Sequence, residues 1–150
     1  MNIRKARKED ISHIVRMIAD DPLGSQREDF REPLPDVYYE AFDHILQDPN
    51  QELVVITDEK EAVAGTLQLS FIRYLTYKGG IRAQIEAVRV RQDLRGKGIG
   101  EQLFTWAIER SRSRGAHLVQ LTTDKQRPEA FLFYEKLGFK ASHEGMKLHL

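Results

Sequence analysis

The stretch Val88-Arg89-Val90-Arg91-Gln92-Asp93-Leu94-Arg95-Gly96-Lys97-Gly98-Ile99-Gly100 restricts the folds open to this chain more than any other. It reads as a β-strand that ends in a glycine-rich turn, and the turn opens directly into a helix. Gly96, Gly98 and Gly100 remove three side chains from one short loop. That admits backbone angles closed to other residues and lets a ligand reach the bare main chain. The helix behind the loop leaves its first N–H groups unpaired and carries partial positive charge at that end. Arg95 and Lys97 add two full charges, so the place suits a phosphate or pyrophosphate. Spacing excludes two common phosphate loops. A Walker loop needs Lys and then Ser or Thr after its second glycine, whereas Gly100 precedes Glu101. A dinucleotide fingerprint runs G-x-G-x-x-G, whereas these glycines run G-x-G-x-G. What fits is R-x-x-G-x-G from Arg95 to Gly100. An ordinary strand-to-helix turn is the plainer alternative.

Around that stretch, periodicity predicts the other elements. Asn2 to Ala6 reads as a strand. Ile11, Ile14, Val15 and Ile18 recur at helical spacing, which predicts a helix over about 9–19. Pro22, Gly24, Pro33 and Pro35 mark a loop, and a second helix spans Asp36 to Gln47, ahead of Pro49. Glu52–Thr57, Ala62–Tyr74 and Ile81–Val90 read as three strands, the last two joined by a turn at Lys78-Gly79-Gly80. A helix over about Gly98–Arg114 carries an apolar stripe of Ile99, Leu103, Trp106 and Ala107. A strand from His117 to Thr122 follows. Pro128 opens a last helix, which Gly138 closes ahead of Phe139. Phe139–Ala141 and Met146–Leu150 complete the chain as two further strands.

A second motif lies one helix and one strand beyond the glycine loop. Arg127-Pro128-Glu129-Ala130-Phe131-Leu132-Phe133-Tyr134-Glu135-Lys136-Leu137-Gly138-Phe139 fits A-x-x-[LF]-Y-x-x-x-G-F at Ala130, Phe133, Tyr134, Gly138 and Phe139. With both motifs in this order and separation, the chain resembles the GNAT superfamily of acetyl-coenzyme A-dependent N-acetyltransferases. The resemblance covers essentially the full length and is strongest over 85–139. It implies an α/β (α+β) fold in a single domain over 1–150. Its central sheet would be mixed but mostly antiparallel, with about seven strands, and about four helices would pack on its faces. It also implies acetyl-CoA as co-substrate. Arg95, Gly96, Lys97, Gly98, Ile99 and Gly100 would hold the pyrophosphate, and Val88, Val90 and Phe133 would line the coenzyme. The family often has Asn where this chain has Arg127, a position that helps to hold the pantetheine arm.

Acetyl transfer from a thioester to an amine makes three chemical demands. The amine must be neutral to attack, and an unperturbed lysine-like amine has a pKa of ~10.4, so a base or a proton-draining water chain helps. The developing oxyanion needs a donor, and the leaving thiolate an acid. Glu86 lies in the otherwise apolar segment Ile85-Glu86-Ala87-Val88 just before the loop. Partial desolvation there would raise its pKa toward a useful range. The resemblance makes it the candidate base through water; a glutamate on the solvated face of the strand is the alternative. A backbone N–H near Val90 is the implied oxyanion donor, where the family splays two strands apart. Tyr134 is the candidate proton donor, the alternative being a core tyrosine that only touches the coenzyme sulfur.

Composition sets the outer bounds. At 150 residues, 31% charged, 41% hydrophobic and with a formal net charge of zero, the chain suits a soluble globular protein. No dominant pull toward nucleic acid or membrane is indicated. It has no cysteine, which excludes disulfides, cysteine nucleophiles and thiolate metal sites and is compatible with the cytoplasm. The five histidines show no metal-binding spacing, so no metal is expected. A homodimer stays open. Between Asp20 and Glu40, seven acids stand against Arg27 and Arg31, a local charge of −5. In the family this segment borders the acceptor pocket. These acids either draw a cationic amine or simply solvate a loop. The expected activity is N-acetyl transfer to a primary amine of a small molecule or an exposed protein amine. The alternatives are an acyl-CoA sensor without turnover and a phosphate-binding interaction domain.

Overall fold

A computed structural model describes all 150 residues. The sheet has five strands in the order β1-β2-β3-β4-β5: β1 (Asn2–Lys5), β2 (Gln51–Thr57), β3 (Val63–Arg73), β4 (Ile81–Val90) and β5 (Leu118–Gln120). The first four pair antiparallel, and β5 joins β4 in parallel. A parallel pair needs a crossover. Helix α4 (Ile99–Ser113) supplies it; the other helices are α1 (Ile11–Ala19), α2 (Asp36–Gln47), α3 (Thr76–Gly79) and α5 (Pro128–Lys136). Helix α3 is a single turn at the tip of the β3–β4 hairpin, with Tyr77 and Lys78 in left-handed conformation. No helix is long and apolar enough to cross a membrane.

The helices pack as two layers, and alternation along the strands decides which residues meet which layer. On one face Val54, Ile56, Leu67, Leu69, Ala83 and Ile85 meet Ile99, Leu103, Phe104 and Ala107 of α4. On the other, Val55 and Val63 meet Ile11, Ile14, Val15 and Met17 of α1 and Phe42 of α2. β2 is covered on both sides, which is why Val54, Val55 and Ile56 form an unbroken apolar run. Two of the polar residues drawn into the interior, Thr66 and Glu52, find partners there. Thr66 Oγ1 donates to the Val54 carbonyl at 2.9 Å, and Glu52 accepts from Arg110 and Arg114.

Two departures from expectation matter. The sheet has five strands rather than about seven, and there are five helices rather than about four, the extra one being α3. The missing strands are 139–141 and 146–150. Met146, Leu148 and Leu150 alternate as a half-buried strand would, yet they are 94%, 86% and 117% exposed, and no ladder bond joins this segment to β5. Alternation reports two faces; it does not supply the neighbouring backbone that a strand requires.

Candidate active site

β4 and β5 form a short parallel ladder and then part. Their pairing covers Arg82–Gln84 against Leu118–Gln120 and ends where Gln120 Nε2 donates to Gln84 Oε1 at 2.7 Å. β5 stops there while β4 runs on to Val90, so the later part of β4 has one free edge. A bulge lies in that part. Gln68 faces Glu86 and Thr66 faces Arg89, so Ala87 and Val88 together oppose Leu67. Ala87 takes φ 53°, a left-handed conformation that costs a non-glycine residue about 1–2 kcal/mol. After the bulge Val88 and Val90 return to the α4 face, and Arg89 points to the other. The Arg91 N–H donates to Ala64 at 2.9 Å. Successive N–H groups of a strand face opposite neighbours, so that of Val90 is directed away from β3 into the opening.

Beyond Val90 a short 3₁₀ turn, Gln92–Leu94, leads to the glycine loop. Gly96 and Gly98 sit at φ 74° and 77°, and Gly98 is the N-cap of α4. A Cβ at either position would meet no protein atom within 4 Å. Both glycines thus serve a left-handed backbone facing open space. Gly100 differs, since a Cβ there would touch the Phe133 ring at 3.5 Å. The N–H groups of Gly96, Lys97, Gly98, Ile99, Gly100 and Glu101 donate to no acceptor in the protein. A row of free donors at a helix start, with exposed Arg95 and Lys97 beside it, fits a diphosphate. A groove of about 460 Å³ lined by Phe71, Ile81 and Arg114 lies at the far end of β4, away from these groups.

Across the opening stands α5, with Pro128 at its start. Its end is a Schellman closure: Gly138 (φ 92°) and Phe139 donate to the carbonyls of Glu135 and Tyr134 at 3.0 and 3.1 Å. This closure and the rings of Phe104, Phe133 and Phe139, with centroids 5.4–6.3 Å away, hold Tyr134 in place. Its hydroxyl makes no hydrogen bond within the protein. Burial pushes its pKa up, and the charges of Arg89 and Arg127 oppose that. The net upward direction keeps the phenol protonated at neutral pH, as a proton donor requires.

The expected burial of Glu86 is corrected. Glu86 is exposed on the face away from α4, so the predicted desolvation is absent. Ile85 turns inward to the α4 core; its neighbour in a strand therefore turns outward. Arg127, expected on the pantetheine arm, donates to Asp21, which also accepts from Arg89 at 3.4 Å. The acids of 20–40 are also partly paired. Asp21 carries those two arginines, Glu28 accepts from the Tyr38 hydroxyl at 2.9 Å, and Asp29 meets Arg31 at 3.2 Å. Asp21 and Arg89 were not foreseen as site residues. The one local signal was an arginine set between two valines in the strand that enters the loop.

Comparison with known proteins identifies the family. The model of the Acetyltransferase (GNAT) family matches residues 20–139. Aminoalkylphosphonate N-acetyltransferase of Salmonella typhimurium is 34% identical over 106 residues, covering 71% of this chain and 68% of that one. Glucosamine 6-phosphate N-acetyltransferase of Trypanosoma brucei brucei is 37% identical over 89 residues, covering 59% of this chain and 58% of that one. A solved structure described as a transcriptional regulator, from Bacillus halodurans C-125, is 54% identical, with a TM-score of 0.96 over 99% of both chains. The chain belongs to the Acetyltransferase (GNAT) family and is an acetyl-CoA-dependent acyltransferase.

Proposed function

We propose that the protein transfers the acetyl group of acetyl-CoA to a primary amine, by direct attack of the amine on the thioester. The observation that carries this is the row of free N–H groups from Gly96 to Glu101 beside the free edge of β4, with the unpartnered Tyr134 hydroxyl at the same opening. In this assignment Gly96, Lys97, Gly98, Ile99 and Gly100 bind the pyrophosphate, with Arg95 adding charge. Val88, Val90 and Phe133 line the coenzyme. The neutral amine nitrogen bonds to the carbonyl carbon while the carbon–sulfur bond breaks. The nitrogen's surplus proton leaves by way of Glu86 and water. Tyr134 donates a proton to the departing sulfur and recovers one from solvent. The Val90 N–H faces the developing oxyanion. Exposure does not disqualify Glu86, because a base acting through water needs a solvent path.

The relatives named above act on amines of small molecules, which favours a small-molecule acceptor over a protein amine. Of the two readings of the acidic stretch 20–40, the pairing of Asp21, Glu28 and Asp29 favours loop solvation over attraction of a cationic amine. The family match and a sheet shared by both cores support one acetyltransferase domain over 1–150.

A second reading, a sensor that binds acyl-CoA without turnover, is favoured by one observation: the 54%-identical chain is described as a transcriptional regulator. Thiol release from acetyl-CoA in the presence of an amine panel separates the two. The enzyme releases thiol in proportion to amine, whereas a sensor binds acetyl-CoA and releases none.

A further inference from the structure

At the opening between β4 and α5, two arginines converge on one carboxylate oxygen. Asp21 Oδ2 accepts from the Gly24 N–H at 3.0 Å, from Arg89 Nη2 at 3.4 Å and from Arg127 Nη2. The three side chains are largely sheltered, at 12% exposed for Asp21, 15% for Arg89 and 28% for Arg127. One negative charge therefore serves two positive ones. Arg27 on the same loop acts on Arg89 as a further like charge. Arg89 is also short of acceptors. Its Nη1 is taken by the Val88 carbonyl at 2.7 Å, its contact with Asp21 is long, and its Nε–H is fully buried with no acceptor at all. A buried donor without an acceptor is costly, and more so on a charged group. A ligand anion at the exposed part of the guanidinium would balance the positive charge that Asp21 alone leaves in surplus.

The groups around this place come from three elements. The loop between α1 and α2 contributes Asp21 and Arg27, α5 and its N-cap contribute Tyr134 and Arg127, and β4 contributes Arg89 and Glu86. Glu86 and Arg89 lie on the same face of β4, two ladder positions apart because the bulge absorbs one residue. Two positions correspond to about 7 Å of strand. A negative group and a surplus of positive charge thus stand side by side next to the candidate proton donor. We propose that the acceptor is an amine that also carries an anionic group, a phosphate, phosphonate or carboxylate, joined by a short carbon chain. Its anion seats on Arg89 and Arg127, and its nitrogen faces Glu86. This rests on the acetyltransferase reading above. Asp21 is a positioning residue that holds both guanidiniums toward the site.

The test uses four amines and one amine-free anion. Phosphoethanolamine and β-alanine carry the anion, ethanolamine lacks it, and 1,3-diaminopropane replaces it with a second cation. The anionic pair should show kcat/KM at least about tenfold above ethanolamine, with the diamine lowest. The order within the pair tells phosphate from carboxylate. Arg89→Gln should erase that preference and raise KM for the better anionic amine about tenfold or more, with KM for acetyl-CoA within about twofold of wild type. Arg89→Lys, which keeps the charge, should recover part of the loss. Methylphosphonate should raise the melting temperature of the wild type but not of Arg89→Gln. If ethanolamine or the diamine is preferred, the anion site is wrong and the acetyltransferase assignment stands. If no amine is turned over, the acetyltransferase reading fails. Lack of stabilisation by methylphosphonate then overturns the anion site separately.

Discussion

Replacing Gly98 with alanine separates the two demands that this position meets. At φ 77° a non-glycine residue costs about 1–2 kcal/mol in the folded state. For a chain of this size that lowers the melting temperature by roughly 2–8 °C. No protein atom lies within 4 Å of the added Cβ, so overlap inside the protein contributes nothing further. Binding should suffer separately, because the methyl group enters the space into which the free N–H groups point. Losing one charge-assisted hydrogen bond costs about 1.5–3 kcal/mol, a fall of tenfold or more in affinity. Gly115, just past the end of α4, is a matched control. It has φ 74° and an equally open Cβ position, yet it lies outside the proposed cradle. Gly98→Ala and Gly115→Ala should therefore lose similar stability by thermal melting, while titration calorimetry with acetyl-CoA finds weakened binding only for Gly98→Ala. Equal affinity in both variants refutes the cradle. Weakened affinity in both refutes the claim that the loss is local.

Tyr134→Phe should lower turnover by about 10²- to 10⁴-fold with little change in melting temperature, since the hydroxyl has no hydrogen bond in the fold to lose; a near-normal rate returns Tyr134 to a contact role. Glu86→Gln should slow the reaction most at neutral pH and recover at high pH, where the amine is neutral without help; a pH–rate profile parallel to wild type removes Glu86 as the base. Glu52 is 3% exposed. Burial alone would raise its pKa, but the hydrogen bond from Arg110 and the charges of Arg110, Lys5 and Arg114 hold it below the usual carboxylate range. A lowered folded-state pKa contributes stability that is present above the ordinary pKa of glutamate and is lost as pH falls through the depressed value. Glu52→Gln should cost about 2 kcal/mol at pH 7, after allowance for partly solvated arginines, and flatten the acid limb of the stability curve. An unchanged acid limb contradicts that role.

Local patterns made part of the fold legible. Helix α2 spans Asp36–Gln47 as expected, stopping ahead of Pro49, and β4 spans Ile81–Val90 as expected after the turn at Lys78-Gly79-Gly80. Features that depend on neighbours did not show. Met146, Leu148 and Leu150 alternate as in a strand, but alternation says nothing about whether another backbone is alongside. The bulge at Ala87 lacks the glycine that would advertise a left-handed residue, so the outward turn of Glu86 and the inward reach of Arg89 were hidden. At the site, the glycine loop was readable because its conformational demand is local. Asp21 meets Arg89 across 68 residues and Arg127 across 106, and no short pattern encodes such meetings. The same gap limits what the charge of the 20–40 segment conveys: a sum of charges does not record which of them are already paired.

The central claim is that acetyl-CoA lies in the opening after Gln84, with its diphosphate on the loop N–H groups. Amide hydrogen exchange with and without acetyl-CoA tests this most directly, because the amides from Gly96 to Glu101 have no acceptor in the protein and should exchange quickly when free. Saturating acetyl-CoA should slow exchange at these amides and at Val88 and Val90. The groove around Asn50, Phe71 and Arg114 at the other end of the sheet should be unaffected. Protection at that groove, with the glycine-loop amides still exchanging freely, would contradict the account.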